Sequence, residues 1–128
     1  MKKELSNMDI ALFALYRLGG ISKKIHTEEI AWQAYQLAKD RFSWQLPKFR
    51  DMGFPDKTVV CYTLADARKK KYGKLIFGKG GHDVSGELEG WCFTPGGVVW
   101  MKENEERISN DLKQKTSALP RLPKRETE

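Results

Sequence analysis

Hydrophobic and polar positions divide this chain into three stretches of helical period, two short strand-like runs and a final helical stretch. The first stripe is Ile10, Ala11, Ala14, Leu15 and Leu18, broadened by Leu12 and Phe13. Ser6 stands before it as N-cap with Asp9 three residues on, an acidic capping-box variant, and Gly19 and Gly20 end it. The second stripe is Ile30, Ala31, Ala34, Tyr35, Leu37 and Ala38, with Trp32 alongside. Thr27 is its expected cap, Glu28 and Glu29 suit the positive end of its dipole, and it should close near Asp40. Residues 21–26, polar apart from Ile21 and Ile25, read as a brief strand or an extended connector.

The third stripe organises the rest. Asp56 is a good N-cap, and Val60, Leu64, Ala67 and Lys71 then recur on one side, with Cys61 beside them. Thr58, Tyr62, Ala65 and Lys69 fall on the opposite, outer side, where Asp66 also lies. Lys69, Lys70 and Lys71 suit the negative end of the helix dipole, and Gly73 is a plausible stop. The pattern is an amphipathic helix over residues 56–73 with a hydroxyl-bearing outer face and a basic end.

Residues 74–77 then read as a strand, residues 78–86 as a glycine-rich tip carrying Lys79 and His82, and residues 90–93 as the returning strand. Glu87 and Glu89 sit on the returning arm, where they would oppose close approach of a polyanion. Thr94 as N-cap and Pro95 at the first helical position open a last helix. Its stripe is Val98, Met101, Ile108 and Leu112, it should end near Lys113, and residues from Thr116 on read as a disordered tail. The fold class expected from this order is α+β.

Residues 41–55 fit no single element. Pro47, Gly53 and Pro55 break any periodicity, yet Phe42, Trp44, Leu46, Phe49 and Phe54 are too apolar for a free loop. They read as a packed connector with a short helical turn. One reading makes it a satellite cluster closing the core; the sharper one makes it an exposed aromatic and basic surface that grips a partner.

Length and composition narrow the function. The 128 residues are enough for one domain with a modest core. No apolar run is long enough to span a bilayer, and the first residues lack the character of a signal peptide, so a cytoplasmic protein is expected. Cys61 and Cys92 are far apart and read as buried thiols. His26 and His82 lack partners at metal-ligand spacing, so neither a metal nor any other cofactor is expected. The glycines around Lys79 lie between strands, without the Gly-Lys-Ser/Thr at a helix entrance that a phosphate loop needs. No nucleophile, base or carboxylate pair converges in the sequence, so an enzyme is not expected.

The net charge of +6 is uneven. Residues 41–82 hold 10 basic and 3 acidic side chains, a balance of +7, against +1 before and −2 after. A field so concentrated is the footprint of a polyanionic partner, or else a solvated basic face.

The segment Trp91-Cys92-Phe93-Thr94-Pro95-Gly96-Gly97-Val98-Val99-Trp100 resembles the strand-to-helix passage of bacterial winged helix-turn-helix transcription regulators. Thr94, Pro95 and Gly97 match the pattern directly; residues 27–31 match the start of the second helix more loosely. The resemblance implies a three-helix core, a β-hairpin wing and a C-terminal helix, with residues 1–108 as the winged-helix domain and 109–128 as helix end and tail. It implies binding of double-stranded DNA through the third helix and the wing, with contacts from Lys57, Thr58, Tyr62, Lys69, Lys70, Lys79 and His82. A homodimer through the last helix would supply two half-sites. The connector is longer than the usual helix-turn-helix turn, and Asp66 would repel phosphate. The alternative is a winged-helix module that docks a protein inside a nucleic-acid-processing or defence complex.

Overall fold

The computed structural model describes residues 4–80 and 89–118, with side chains of the last helix described to Lys113. His82, Glu87, most of the glycine-rich tip and the chain after Ala118 lie outside the described residues. The order is α1 (Asn7–Arg17), α2 (Thr27–Leu37), α3 (Pro47–Arg50), α4 (Lys57–Ala67), a 3-10 turn (Lys70–Tyr72), β1 (Ile76–Lys79), β2 (Gly90–Phe93) and α5 (Pro95–Ala118). The architecture is α+β: α1, α2 and α4 pack on one another, the strands form an antiparallel hairpin beside α4, and α5 packs across α1.

The caps act where the sequence places them at three helices. Ser6 and Asp9 form a reciprocal capping box. Asp56 Oδ1 accepts from the Thr58 and Val59 amides at 3.1 and 3.4 Å. Thr94 Oγ1 accepts from the Gly97 amide at 3.0 Å and donates to the Lys74 carbonyl at 2.7 Å. That second bond ties the start of α5 to the start of the hairpin. A Cβ at Gly97 would collide with the Leu75 carbonyl, so only glycine admits this approach.

At α2 the expectation fails. His26, not Thr27, is the N-cap, its Nδ1 accepting from the Glu28 amide at 3.0 Å. Thr27 is fully buried, and its hydroxyl accepts the Trp91 indole N–H at 2.9 Å. The helix also stops at Leu37, short of Asp40, and Trp32 turns out to solvent rather than lying against the core. Ile25 forms a two-way backbone bridge to Trp91, 2.9 Å in each direction, so the hairpin gains a one-residue third strand.

The third stripe buries Val60, Leu64 and Ala67 as expected, at roughly 1.5–3 kcal/mol for each large side chain. It ends six residues before Gly73. The Ala67 carbonyl takes the Leu75 amide at 2.9 Å, and the Lys69 carbonyl takes the Lys74 amide at 3.0 Å. The reversal carries Leu75 and Ile76 into the core. Residues 68–71 offer no apolar side chain to bury, so continuing the helix would gain less; Lys71 is therefore exposed and off the inner face. Gly73 and Lys74 both take positive φ, 93° and 48°, to make the turn. β1 then starts at Ile76, two residues later than the alternation indicates, and includes Gly78 and Lys79.

α5 runs through Ala118, beyond Lys113 and into the stretch expected to be disordered. Met101 and Ile108 are fully buried against the chain's own core, and Leu112 packs against its edge. The seam expected to meet a twin helix is thus spent internally. Tyr16 donates to Glu105 at 3.1 Å, a bond that holds α1 to α5 and pushes the phenol up from its ordinary range. Among the described residues, no helix is long and apolar enough to cross a membrane.

Thr27→Val should lower stability by about 1–3 kcal/mol, because it leaves the buried Trp91 indole N–H without an acceptor. Urea denaturation checks this; an unchanged midpoint would show that the indole finds another acceptor.

Candidate functional site

The outer face of α4 is open. Tyr62 is 70% exposed, and Thr58 and Lys57 are exposed near the helix start. Ala65 is half-buried and closes the stripe on the core side. From Thr58 to the end of α4 the face runs about 14 Å at 1.5 Å per residue.

The basic end follows at once. Residues 68–79 contain six basic side chains and no acidic one. Arg68 is committed: its Nη1 donates to the Gly78 carbonyl at 2.8 Å, and its guanidinium lies 5.4 Å over the Trp91 ring. It fastens the end of α4 to the hairpin while keeping a positive charge at the junction. Lys69 pairs with Asp66 at 3.0 Å, and Lys57 with Glu28 at 3.3 Å. Both are solvent-exposed pairs, which are worth little and exchange readily for another anion. Asp66 is thereby neutralised by its own neighbour. Lys70, Lys74 and Lys79 have no carboxylate within ion-pair distance among the described residues; Lys71 lies over the Tyr72 ring. In the hairpin Phe77 and Lys79 alternate outward while Ile76 turns in.

The structure therefore brings Lys69, Lys70 and Lys79 to the end of α4 and leaves Lys57, Thr58 and Tyr62 along its open face. Arg68, Lys71, Lys74 and Phe77 belong to the same surface and are absent from the residues marked by the sequence. The acid-free basic stretch was the signal for the first three. Phe77 gave none, because an aromatic in a strand reads as core.

No family model, curated protein or solved structure matches the chain. The reading of the site therefore rests on its own geometry.

Glu89, expected to oppose an anion, is instead turned inward. Its side chain is buried, and its Oε1 lies 3.3 Å from His26 Nε2. His26 Nδ1 accepts the α2 cap bond, so the ring sits between the start of α2 and the Glu89 carboxylate. Cys61 is only half-buried, not a core thiol; Cys92 is buried. Burial, and then the Glu89 carboxylate, push the Cys61 thiol up, against the opposing pull of Lys57 and Arg68. Among the described residues no group of three or more His, Cys, Asp or Glu side chains is placed to hold a metal ion.

A raised thiol means less thiolate at a given pH. Cys61 should alkylate more slowly at pH 8 than free cysteine, and Glu89→Gln should speed it. Peptide mass spectrometry after iodoacetamide reads both rates; a Cys61 as fast as free cysteine contradicts the assignment.

Proposed function

We propose that the chain is a winged helix-turn-helix protein that binds double-stranded DNA, with α2 and α4 as the helix pair, α4 as the recognition helix and the β1–β2 hairpin as the wing. One observation carries the reading: the open face of α4 ends in an acid-free run of cations joined to the hairpin by Arg68. The open length of the helix is comparable with the roughly 12 Å width of a major groove. Thr58 and Tyr62 are then the side chains that reach base edges. Lys70, Lys74 and Lys79 take phosphates directly, and Lys57 and Lys69 do so by trading their carboxylate partners.

The long connector does not disturb this geometry. Ser43 and Pro55 bridge each other, and the Asp56 amide donates to the Phe42 carbonyl at 2.7 Å. The loop leaves and returns at one point, and α2 and α4 pack directly on each other beside it. With the α5 stripe consumed by the core, a dimer through that helix is no longer part of the reading.

Lys70→Ala/Lys79→Ala should weaken binding to all duplexes and reduce the slope of log K against log salt by about 2, one for each lost phosphate contact. Tyr62→Ala should keep the slope, reduce discrimination between sequences and change stability by less than about 0.5 kcal/mol. Fluorescence anisotropy at several salt concentrations separates the two effects. Absence of duplex binding even at low salt would remove the DNA reading and leave the protein-docking module in its place.

A further inference from the structure

We propose that the loop of residues 43–55 is an apolar wedge that enters an unstacked or unpaired step of the DNA beside the site held by α4. The inference rests on the DNA-binding reading and adds to it a preference for distorted duplex.

The loop is built, not loose. Phe42 anchors its base in the core, and the Ser43–Pro55 bridge closes it. Within it, Leu46 carbonyl accepts from the Phe49 and Arg50 amides at 2.9 Å each, Pro47 carbonyl from Asp51, Phe49 carbonyl from Met52 and Arg50 carbonyl from Gly53. Trp44 meets Phe49 edge to face at 5.4 Å. Gly53 lies beside the Tyr35 hydroxyl, and Tyr35 in turn stacks on Trp32 of α2. These contacts hold the turn in one shape.

Yet this ordered loop turns its large apolar side chains outward. Leu46, Met52 and Phe54 are 54%, 59% and 57% exposed. This overturns the expectation of a cluster closing the core: of the five apolar side chains that raised it, Phe42 alone is fully buried. A loop held by its own hydrogen bonds that displays such a set is organised for contact.

Three observations favour nucleic acid as the occupant. First, the loop returns to the chain one residue before Asp56, the N-cap of α4. Whatever the start of α4 approaches, the loop approaches too. Second, Lys48 and Arg50 are exposed among the apolar residues, with only Asp51 of opposite sign between Ser43 and Pro55. A polyanion satisfies that excess. Two copies meeting through this loop would face four cations with two carboxylates. Third, Leu, Met and Phe flanked by cations are the side chains that enter base steps in DNA-kinking proteins, while the cations hold the adjoining phosphates.

The test uses the full chain and two fluorescein-labelled duplexes, one intact and one with an unpaired bulge. The bulge has already lost its stacking, so the wild-type chain should bind it on the order of tenfold more tightly. In the intact duplex, 2-aminopurine beside the site should brighten on binding as it unstacks. Leu46→Ala/Met52→Ala/Phe54→Ala should hold the intact duplex within about threefold while losing both the preference and the brightening, since exposed truncations leave the fold intact. Should the triple variant fail to fold, Phe54→Ala alone is read with the same duplexes. Equal wild-type affinity for the two duplexes would overturn the wedge and leave the DNA reading standing. Failure to bind either duplex would overturn both. A loop variant that weakens both duplexes equally, or that dissolves a wild-type dimer in sedimentation equilibrium, would also overturn the wedge, making the loop a brace for α4 or a contact between copies.

Discussion

The Trp91 indole is the tie on which the other contacts depend. It is buried, so its N–H must find an acceptor inside the protein, and the Thr27 hydroxyl supplies it. The same residue bridges Ile25 through its backbone, faces Gly78 across the hairpin and carries the Arg68 guanidinium over its ring. Through its side chain and its backbone together, this one residue fixes the start of α2, the hairpin and the end of α4 to each other. The open face of α4 and the outward face of the hairpin owe their mutual placement to this residue together with the Arg68–Gly78 and Ala67–Leu75 bonds.

The reversal after α4 is what concentrates charge. By accepting from Leu75 and not from Lys71, the Ala67 carbonyl ends the helix and turns the chain back. Leu75 and Ile76 gain burial, and the residues between are left outside. Five of those seven residues are cations, so a packing decision produces an electrostatic one. At physiological salt the fields of charges within about 8 Å add before they are screened. The run lies at the junction of helix and hairpin, where a groove-bound helix would bring both elements close to phosphates.

Local signals were legible where a residue and its partner lie within a few positions of each other. Ser6 with Asp9, Asp56 with Thr58 and Val59, and Thr94 with Gly97 all cap as their spacing indicates. The inner faces of α1 and α4 follow their stripes for the same reason. What could not be read was decided at long range. His26 and Thr27 are both acceptable caps locally; Thr27 loses the role because a tryptophan 64 positions away needs its hydroxyl. The end of α4 depends on Leu75 and not on Gly73. The second stripe sets Trp32 beside the inner face of α2, and one of the two readings of the loop puts its side chains inside, because they are apolar. Apolar residues are nevertheless free to remain outside, and Trp32, Trp44, Leu46 and Phe54 do. Of the candidate site, the outer stripe of α4 and its basic end were readable, while Arg68 as a link to the hairpin was not. That link depends on a carbonyl ten residues on.

The loop shows how a helix pair can acquire an exposed apolar surface without being remodelled. Closing a longer excursion costs only slowly increasing entropy, about 0.6 kcal/mol for each doubling in length. The requirement is that its two ends meet, and the Ser43–Pro55 bridge with the Phe42–Asp56 bond meets it. Phe42 below and the internal turn bonds then set the direction of everything between. Because the loop's base is one residue from the α4 cap, its position is fixed by the same anchor that orients the helix. A surface attached in this way stands beside the start of α4, so whatever engages that end of the helix must accommodate or use the loop.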